Sequence, residues 1–266
     1  MSFAKPQSRL TVKEIEDRLR NEFTFQISVD TLDKGSLAQG LIVADAAMGA
    51  GIDLIEMGTP LLKTEGVLHV IPAFRKKYPD MLLLADMKTM DGGGYEARIV
   101  YANGGNIIDF LALAGFDSAK AACVVRDEFR MKDPSIPRLA FADILLPHQG
   151  PANVAVDLAE RMLEAGVDGV GVHLQVDARR AQAGLLQSEY LSDCARAVFE
   201  RVGKRASVQV VGGLSADQAK ALARDGLRAF VISANLGVAD GVSRYNLPLQ
   251  EMQQHIATFM KEVSGR

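Results

Sequence analysis

The 266-residue sequence has no tryptophan and only two cysteines, Cys123 and Cys194, both in stretches that read as helices. Their spacing fits neither a zinc site nor a disulfide framework, so a reducing, cytoplasmic setting is expected. No apolar run approaches the roughly 18 residues that a membrane-spanning helix needs. The opening residues, MSFAKPQSRLTVKEIEDRLRNE, are mixed in charge and lack the apolar core of a signal peptide. Neither sign of charge dominates: 30 basic residues stand against 33 acidic ones, so the basic footprint of a nucleic-acid binder is missing. A glycine-rich G-x-G-x-x-G loop is also missing after the first strand candidate, which ends in Asp30.

What the sequence does have is alternation. Short apolar runs rich in β-branched residues, FTFQISVD (23–30), IDLIEMG (52–58), LLLADMKT from Leu82, NIIDFLALAG (106–115), PRLAFADIL (137–145), VDGVGVHL (167–174), ASVQVVGG (206–213) and LRAFVISA (227–234), read as strands. Helical patterns separate them, several ending at Gly, as in Ala-Gly-Val at 165–167. Strict βα alternation implies a parallel sheet with right-handed crossovers. Eight units without a composition break predict an α/β fold, a (β/α)8 TIM barrel over residues 23–266. Residues 1–22 form an N-terminal helical extension, with Thr11 as its N-cap and Glu14 completing a capping box.

In such a barrel the chemistry sits at the C-terminal ends of the strands. Those ends carry Asp30, Glu56, Asp86 with Lys88, Asp143, His173, Gly212-Gly213, and Ser233 with Ala234. A single strand-end carboxylate is as readily a cap or a solvated turn. Five strands converging ionisable groups on one mouth point to a site. Asp86 and Lys88, two apart on a strand, face the same side and can pair, which makes Lys88 a candidate general acid–base whose pKa neighbouring cations or a metal would lower. Glu56 and Asp86 offer two hard oxygen ligands, the usual protein share of a Mg2+ site. Gly212-Gly213, ahead of a helix starting near Ser215, is placed to cradle a phosphate. A rim ion pair and an ordinary Gly-Gly turn remain the bland alternatives. His69 and His255 fall within helical patterns; His148, in LLPHQGP, follows the fifth strand and could reach the mouth.

The stretch ADMKTMDGG resembles the D-x-K-x-x-D signature of the orotidine-monophosphate decarboxylase superfamily, and DLIEMGTPLLKTEG (53–66), read as the second strand and its loop, sharpens the likeness to its 3-hexulose-6-phosphate synthase branch. VGVH (170–173) and VVGGL (210–214) fall in register with it, and the similarity covers roughly residues 23 to 240. The resemblance implies that Glu56 and Asp86 hold Mg2+ at an enediolate and that Lys88 transfers the proton. It implies that Asp91 crosses a homodimer interface to complete the partner's site, that Asp30 contacts substrate hydroxyls, and that Gly212 and Gly213 bind phosphate. The synthase joins formaldehyde to ribulose 5-phosphate; the related 3-keto-L-gulonate-6-phosphate decarboxylases reach a similar intermediate by losing CO2. Departures are local. Val176 stands where the decarboxylase pattern has arginine, DARRAQAG (177–184) is longer than either pattern, PHQGP (147–151) is foreign to both, and VISANLG replaces a glycine-containing turn. A Mg2+-dependent aldolase is therefore expected, with a decarboxylase of a β-keto sugar acid, phosphorylated or not, and a catalytically silent barrel as alternatives.

Overall fold

The eight expected segments all form strands, and these pair in sequence order into a closed parallel barrel, β8 returning to β1. They are β1 (Thr24–Val29), β2 (Leu54–Met57), β3 (Leu82–Thr89), β4 (Ile107–Leu111), β5 (Leu139–Leu146), β6 (Gly169–Leu174), β7 (Ser207–Val211) and β8 (Ala229–Ile232). Eleven helices precede, separate and follow them among the described residues: α1 (Val12–Asn21), α2 (Leu37–Ala50), α3 (Thr59–Glu65), α4 (Val67–Lys77), α5 (Gly93–Ala102), α6 (Gly115–Lys132), α7 (Ala152–Ala165), α8 (Val176–Ala181), α9 (Tyr190–Val202), α10 (Ala216–Arg224) and α11 (Leu249–Ser264). The structure, a computed structural model, describes residues 10–30, 36–146, 151–182, 184–185, 188–238, 240 and 242–265. Among them no helix is long and apolar enough to cross a membrane.

The strands are buried on both faces, and β2, β4 and β8 accordingly read as largely apolar runs, while β1 carries Gln26 and Ser28 toward the site. Outward-facing Ile27, Ile55, Leu83, Ile108 and Val170 pack against the helical ring in one large core. A second, smaller core fills the barrel's N-terminal end. There Leu54, Leu82, Leu84, Ile107, Leu139 and Phe141 meet Leu10, Ile15 and Leu19. Helix α1 is therefore the plug of the barrel floor. Its start carries the expected capping box between Thr11 and Glu14, and the Ser207 hydroxyl donates to the Leu19 carbonyl at 3.1 Å. Glu16 meets Arg130 at 3.4 Å, and Arg130 in turn meets Asp168 at 3.0 Å. Burying each of the three aliphatic side chains contributes about 1.5–3 kcal/mol.

Three segments differ from expectation. The residues after β2, read as a loop, form helix α3, with Pro60 in its first turn, where a missing N–H leaves no bond unmade. Strand β4 ends at Leu111 and passes through a 3-10 turn, Ala112–Ala114, into α6. The long segment after β6 contains an additional short helix, α8, ahead of α9. His148 lies outside the described residues.

Candidate active site

The polar strand ends meet in one cavity of about 340 Å3 at the C-terminal mouth, whose lining includes Asp30, Glu56, Asp86, Lys88, Asp143, His173, Gly212, Ser233 and Ala234. Lys88 is the centre of the charge network. Its Nζ lies 2.6 Å from Asp86 Oδ1 and 2.6 Å from Asp143 Oδ2. His173 Nδ1 is 2.8 Å from the same Asp143 oxygen. Ionised Asp143 can only accept, so the imidazole proton sits on Nδ1. The Thr59 hydroxyl is 2.8 Å from both Asp86 Oδ2 and the Asp86 carbonyl, so α3 steadies the carboxylate from behind. Glu56 accepts from Ser28 Oγ at 2.8 Å and from Gln26 Nε2 at 2.5 Å, and Gln209 donates to Gln26 at 3.0 Å.

Asp86 and Lys88 pair as their two-residue spacing led us to expect, but the strand between them is not regular. The β3–β4 register shifts between Asp86 and Thr89, and Lys88 has a positive φ of 50°. A bulge re-aims a side chain in this way, at a backbone cost of roughly 1–2 kcal/mol for a residue with a Cβ. The ion pairs with Asp86 and Asp143 hold that strained turn in place.

Burial dominates the titration of the pocket. It would lower Lys88, but the Asp143, Asp86 and Asp109 carboxylates outweigh it and hold the ammonium well above its ordinary value. In the protein by itself the aspartates thus outweigh burial, and the lysine stands above its ordinary value rather than below it. Asp143 is buried too, yet His173 and Lys88 hold it below the usual carboxylate range. Glu56 goes the other way: burial, then Asp86 and Asp30, push it up to about 8. Asp30 rises to about 6 through burial and Asp86. Its carboxylate stands so close over Gly58 that a Cβ there would fall 2.2 Å from Asp30 Oδ1, so only glycine fits.

Asp109 is a site residue that strand-end reasoning missed, since it sits inside β4 between apolar neighbours. It pairs in register with Asp86, it is buried, and burial with Asp143 raises its pKa well above the ordinary value. A lone carboxyl in the middle of a run of buried aliphatics was the signal that could have revealed it. Asp86, Asp109 and Asp143 bring oxygens within 4.8 Å of one another, while Glu56 lies outside this tight trio. Asp30 Oδ1, Asp109 Oδ1 and Asp143 Oδ1 are buried with no hydrogen-bond partner. Orphaned hard oxygens around an oxygen-only donor set fit a divalent cation such as Mg2+.

Opposite these acids, Gly212 and Gly213 turn the chain after β7 with φ of 135° and 75°. Asn235 ties that turn to the end of β8, donating to Gly213 O at 2.9 Å and to Val238 O at 2.8 Å. Helix α10 then starts at the expected place, with Ser215 as N-cap. Arg179 and Arg180 of α8 also line the cavity. Asp91 does not. Its carboxylate accepts from the Gly92 amide at 2.7 Å, and it lines a separate cleft between α5 and α6 together with Met90, Tyr95 and Val124.

Comparison with known proteins follows the same lines. Residues 24–240 match the sequence profile of the "Orotidine 5'-phosphate decarboxylase / HUMPS family". A 73-residue stretch is 47% identical to 3-hexulose-6-phosphate synthase of Mycobacterium gastri, covering 27% of this chain and 34% of that protein. The synthase of Staphylococcus aureus (strain MSSA476) is 26% identical over 81% of this chain and 91% of its own length. Among solved structures, 3-keto-L-gulonate-6-phosphate decarboxylase from Vibrio cholerae superposes with a TM-score of 0.66 at 20% identity, over 91% of this chain and 99% of that one.

Proposed function

The chain belongs to the orotidine 5'-phosphate decarboxylase / HUMPS family, and on that premise we propose that it is a lyase of the 3-hexulose-6-phosphate synthase type, a Mg2+-dependent aldolase joining formaldehyde to a ribulose 5-phosphate enediolate. One observation carries the reading: an ammonium, Lys88, held 2.6 Å from each of two carboxylates on the floor of an oxygen-rich cavity. Glu56 and Asp86 are the proposed metal ligands, with the Asp109 and Asp143 oxygens at hand. Bound there, Mg2+ supplies positive charge against the developing enediolate oxygens. Asp30 contacts the substrate hydroxyls, and Gly212 and Gly213, with Ser233 and Ala234 across the mouth, receive the phosphate. Lys88 handles the proton at the reacting carbon: having first passed its own proton to a neighbouring carboxylate, the neutral amine would take one as the enediolate forms, and the resulting ammonium would return one as the new hydroxyl appears. Whatever draws Asp86 away from Lys88 lowers the ammonium toward the range where it exchanges protons. His173, fixed by Asp143, is the second proton-handling group beside it.

Shared active sites in a homodimer belong to the same proposal. Met90, Tyr95 and Val124 are large apolar side chains left exposed in the cleft that Asp91 lines, Tyr95 at 82%. A partner covering that patch would receive Asp91 into its own cavity. Free, unpaired Cys123 and Cys194 support a cytoplasmic setting. The second reading, decarboxylation of a β-keto sugar acid, is favoured by Arg179, an arginine that reaches the cavity from α8 in the segment after His173; Val176 at the pattern's arginine position speaks for the aldolase.

Proton exchange tests the enediolate directly. With Mg2+ in D2O and no formaldehyde, the protein is expected to exchange a C1 hydrogen of ribulose 5-phosphate, observed by proton NMR. The Lys88→Ala protein, folded by circular dichroism, is expected not to. Equal exchange by both proteins would remove Lys88 from the reaction.

A further inference from the structure

The two carboxylates that touch Lys88 are held by its charge. Glu56 is held differently. Ser28 Oγ donates to its Oε1 at 2.8 Å, and Gln26 Nε2 donates to its Oε2 at 2.5 Å. Both donors stand on β1, Ser28 in register with Glu56 on β2 and Gln26 two residues earlier on the same face. The last torsion of a glutamate side chain is broad when nothing restrains it. With one donor on each oxygen, this carboxylate cannot turn about that torsion without breaking a bond.

The chain of bonds continues away from the cavity. Gln209 Nε2, on β7, donates to Gln26 Oε1 at 3.0 Å. Ala229 of the intervening β8 is in register with Gln209 and is small enough to let the two glutamines meet. Gln26, Ser28 and Glu56 line the cavity, whereas Gln209 is buried outside its lining. Ionised Glu56 only accepts, so Gln26 turns its NH2 to the acid and its carbonyl away. Gln209 is the donor that meets this carbonyl, and it thereby sets which end of the Gln26 amide faces Glu56. Stability does not require two buried amides here, because apolar residues of the same shape can replace a hydrogen-bonded pair at almost no cost. Donors converging on one acid point instead to the orientation of that acid.

We propose that Ser28 and, acting through Gln26, Gln209 are positioning residues that fix Glu56 as a ligand for a divalent cation. The inference rests on the reading of Glu56 as a metal ligand given above. Removing the outer partners of a ligating side chain lowers metal affinity by roughly 10–100-fold. Gln209 gives the sharpest form of the claim, since Gln26 is its route to the cavity.

Mn2+ titrations of the protein without substrate, followed by the EPR signal of the free ion, test this with Mn2+ standing in for Mg2+. Ser28→Ala and Gln209→Met, folded by circular dichroism, are each expected to weaken Mn2+ binding by about tenfold. Gln26→Met is expected to weaken it at least as much. Adding Gln209→Met to Gln26→Met should then cost nothing further, because the contact it removes is already gone. If Gln209→Met does not fold, Gln209→Leu takes its place, and Ser28→Ala, which removes a single oxygen, still tests the donors on Glu56. Unchanged Mn2+ affinity in either single variant, with binding lost in Glu56→Gln, would overturn the inference and leave the metal reading standing. A further loss in the double variant would overturn the route through Gln26. Glu56→Gln binding Mn2+ as well as wild type, or no binding by wild type, would overturn the metal reading and this inference with it.

Discussion

Two buried aspartates on adjacent strands are expected to respond unequally to the same substitution. Asp143 bonds Lys88 at 2.6 Å and His173 at 2.8 Å; Asp109 makes no hydrogen bond among the described residues and is driven toward its neutral form by burial and by Asp143. Replacing Asp143 by Asn keeps the shape and deletes the charge. At 2.6 Å and an effective permittivity of about 20, the lost attraction is roughly 6 kcal/mol before desolvation is counted. Removing one partner of a buried pair costs about 3–5 kcal/mol net. Asp86 stays beside Lys88, which places the expected loss near the lower end, about 3 kcal/mol. Unfolding entropy of about 0.56 kcal/mol/K for a chain of this length turns that into a fall in midpoint of about 5 °C. Asp109→Asn replaces a group that burial and Asp143 drive toward its neutral form, so its midpoint should fall less than that of Asp143→Asn. Thermal unfolding followed by circular dichroism at about pH 7.5, without divalent cations, reads both. Equal shifts in the two variants would refute the assignment of charge within the pocket.

Leu19→Ala should lower stability by about 2–5 kcal/mol, as for other fully buried leucines, with kcat and KM of the folded enzyme unchanged, because α1 closes the floor and not the mouth. Altered KM at full folding would contradict that division. Asp53, buried at the start of β2, is pushed up to about 7 by burial although the Phe25 amide donates to it at 2.8 Å. A carboxyl raised in the folded state contributes stability that is whole below its ordinary 3.8 and is lost as pH climbs through about 7. Asp53→Asn, whose amide oxygen can accept the same bond, should be more stable than wild type at about pH 8.5 by up to about 4 kcal/mol, with the gap closing toward about pH 4 in urea titrations. A gap independent of pH would rule out the titration. Tyr95→Glu should yield monomers in sedimentation velocity where wild type sediments as a dimer; an unchanged wild-type-like dimer would place the interface elsewhere.

Strand positions were legible because short apolar, β-branched-rich runs recur between helical patterns, and the charged residues near the ends of those runs, Asp30, Glu56, Lys88 and His173, do share one cavity. Other features needed three dimensions. Asp109 hides within a run because its partners come from β3 and β5, not from its own neighbours. Alternation anticipated that Asp86 and Lys88 would pair, but not the bulge with positive φ at Lys88 that accompanies the pairing. In the sequence Arg179 is equally a substrate contact or a solvated charge; only the fold of α8 sets it against the Gly212 carbonyl. The role of α1 was equally hidden: its apolar stripe of Ile15 and Leu19 is visible in the sequence, but its counterpart on the barrel floor is assembled from separate strands.

The aldolase account stands most directly on formaldehyde consumption. With Mg2+, ribulose 5-phosphate and formaldehyde, the wild-type protein is expected to consume formaldehyde in step with the sugar phosphate, and to stop on addition of EDTA or on Lys88→Ala. A folded, Mg2+-loaded protein that leaves formaldehyde untouched would contradict it.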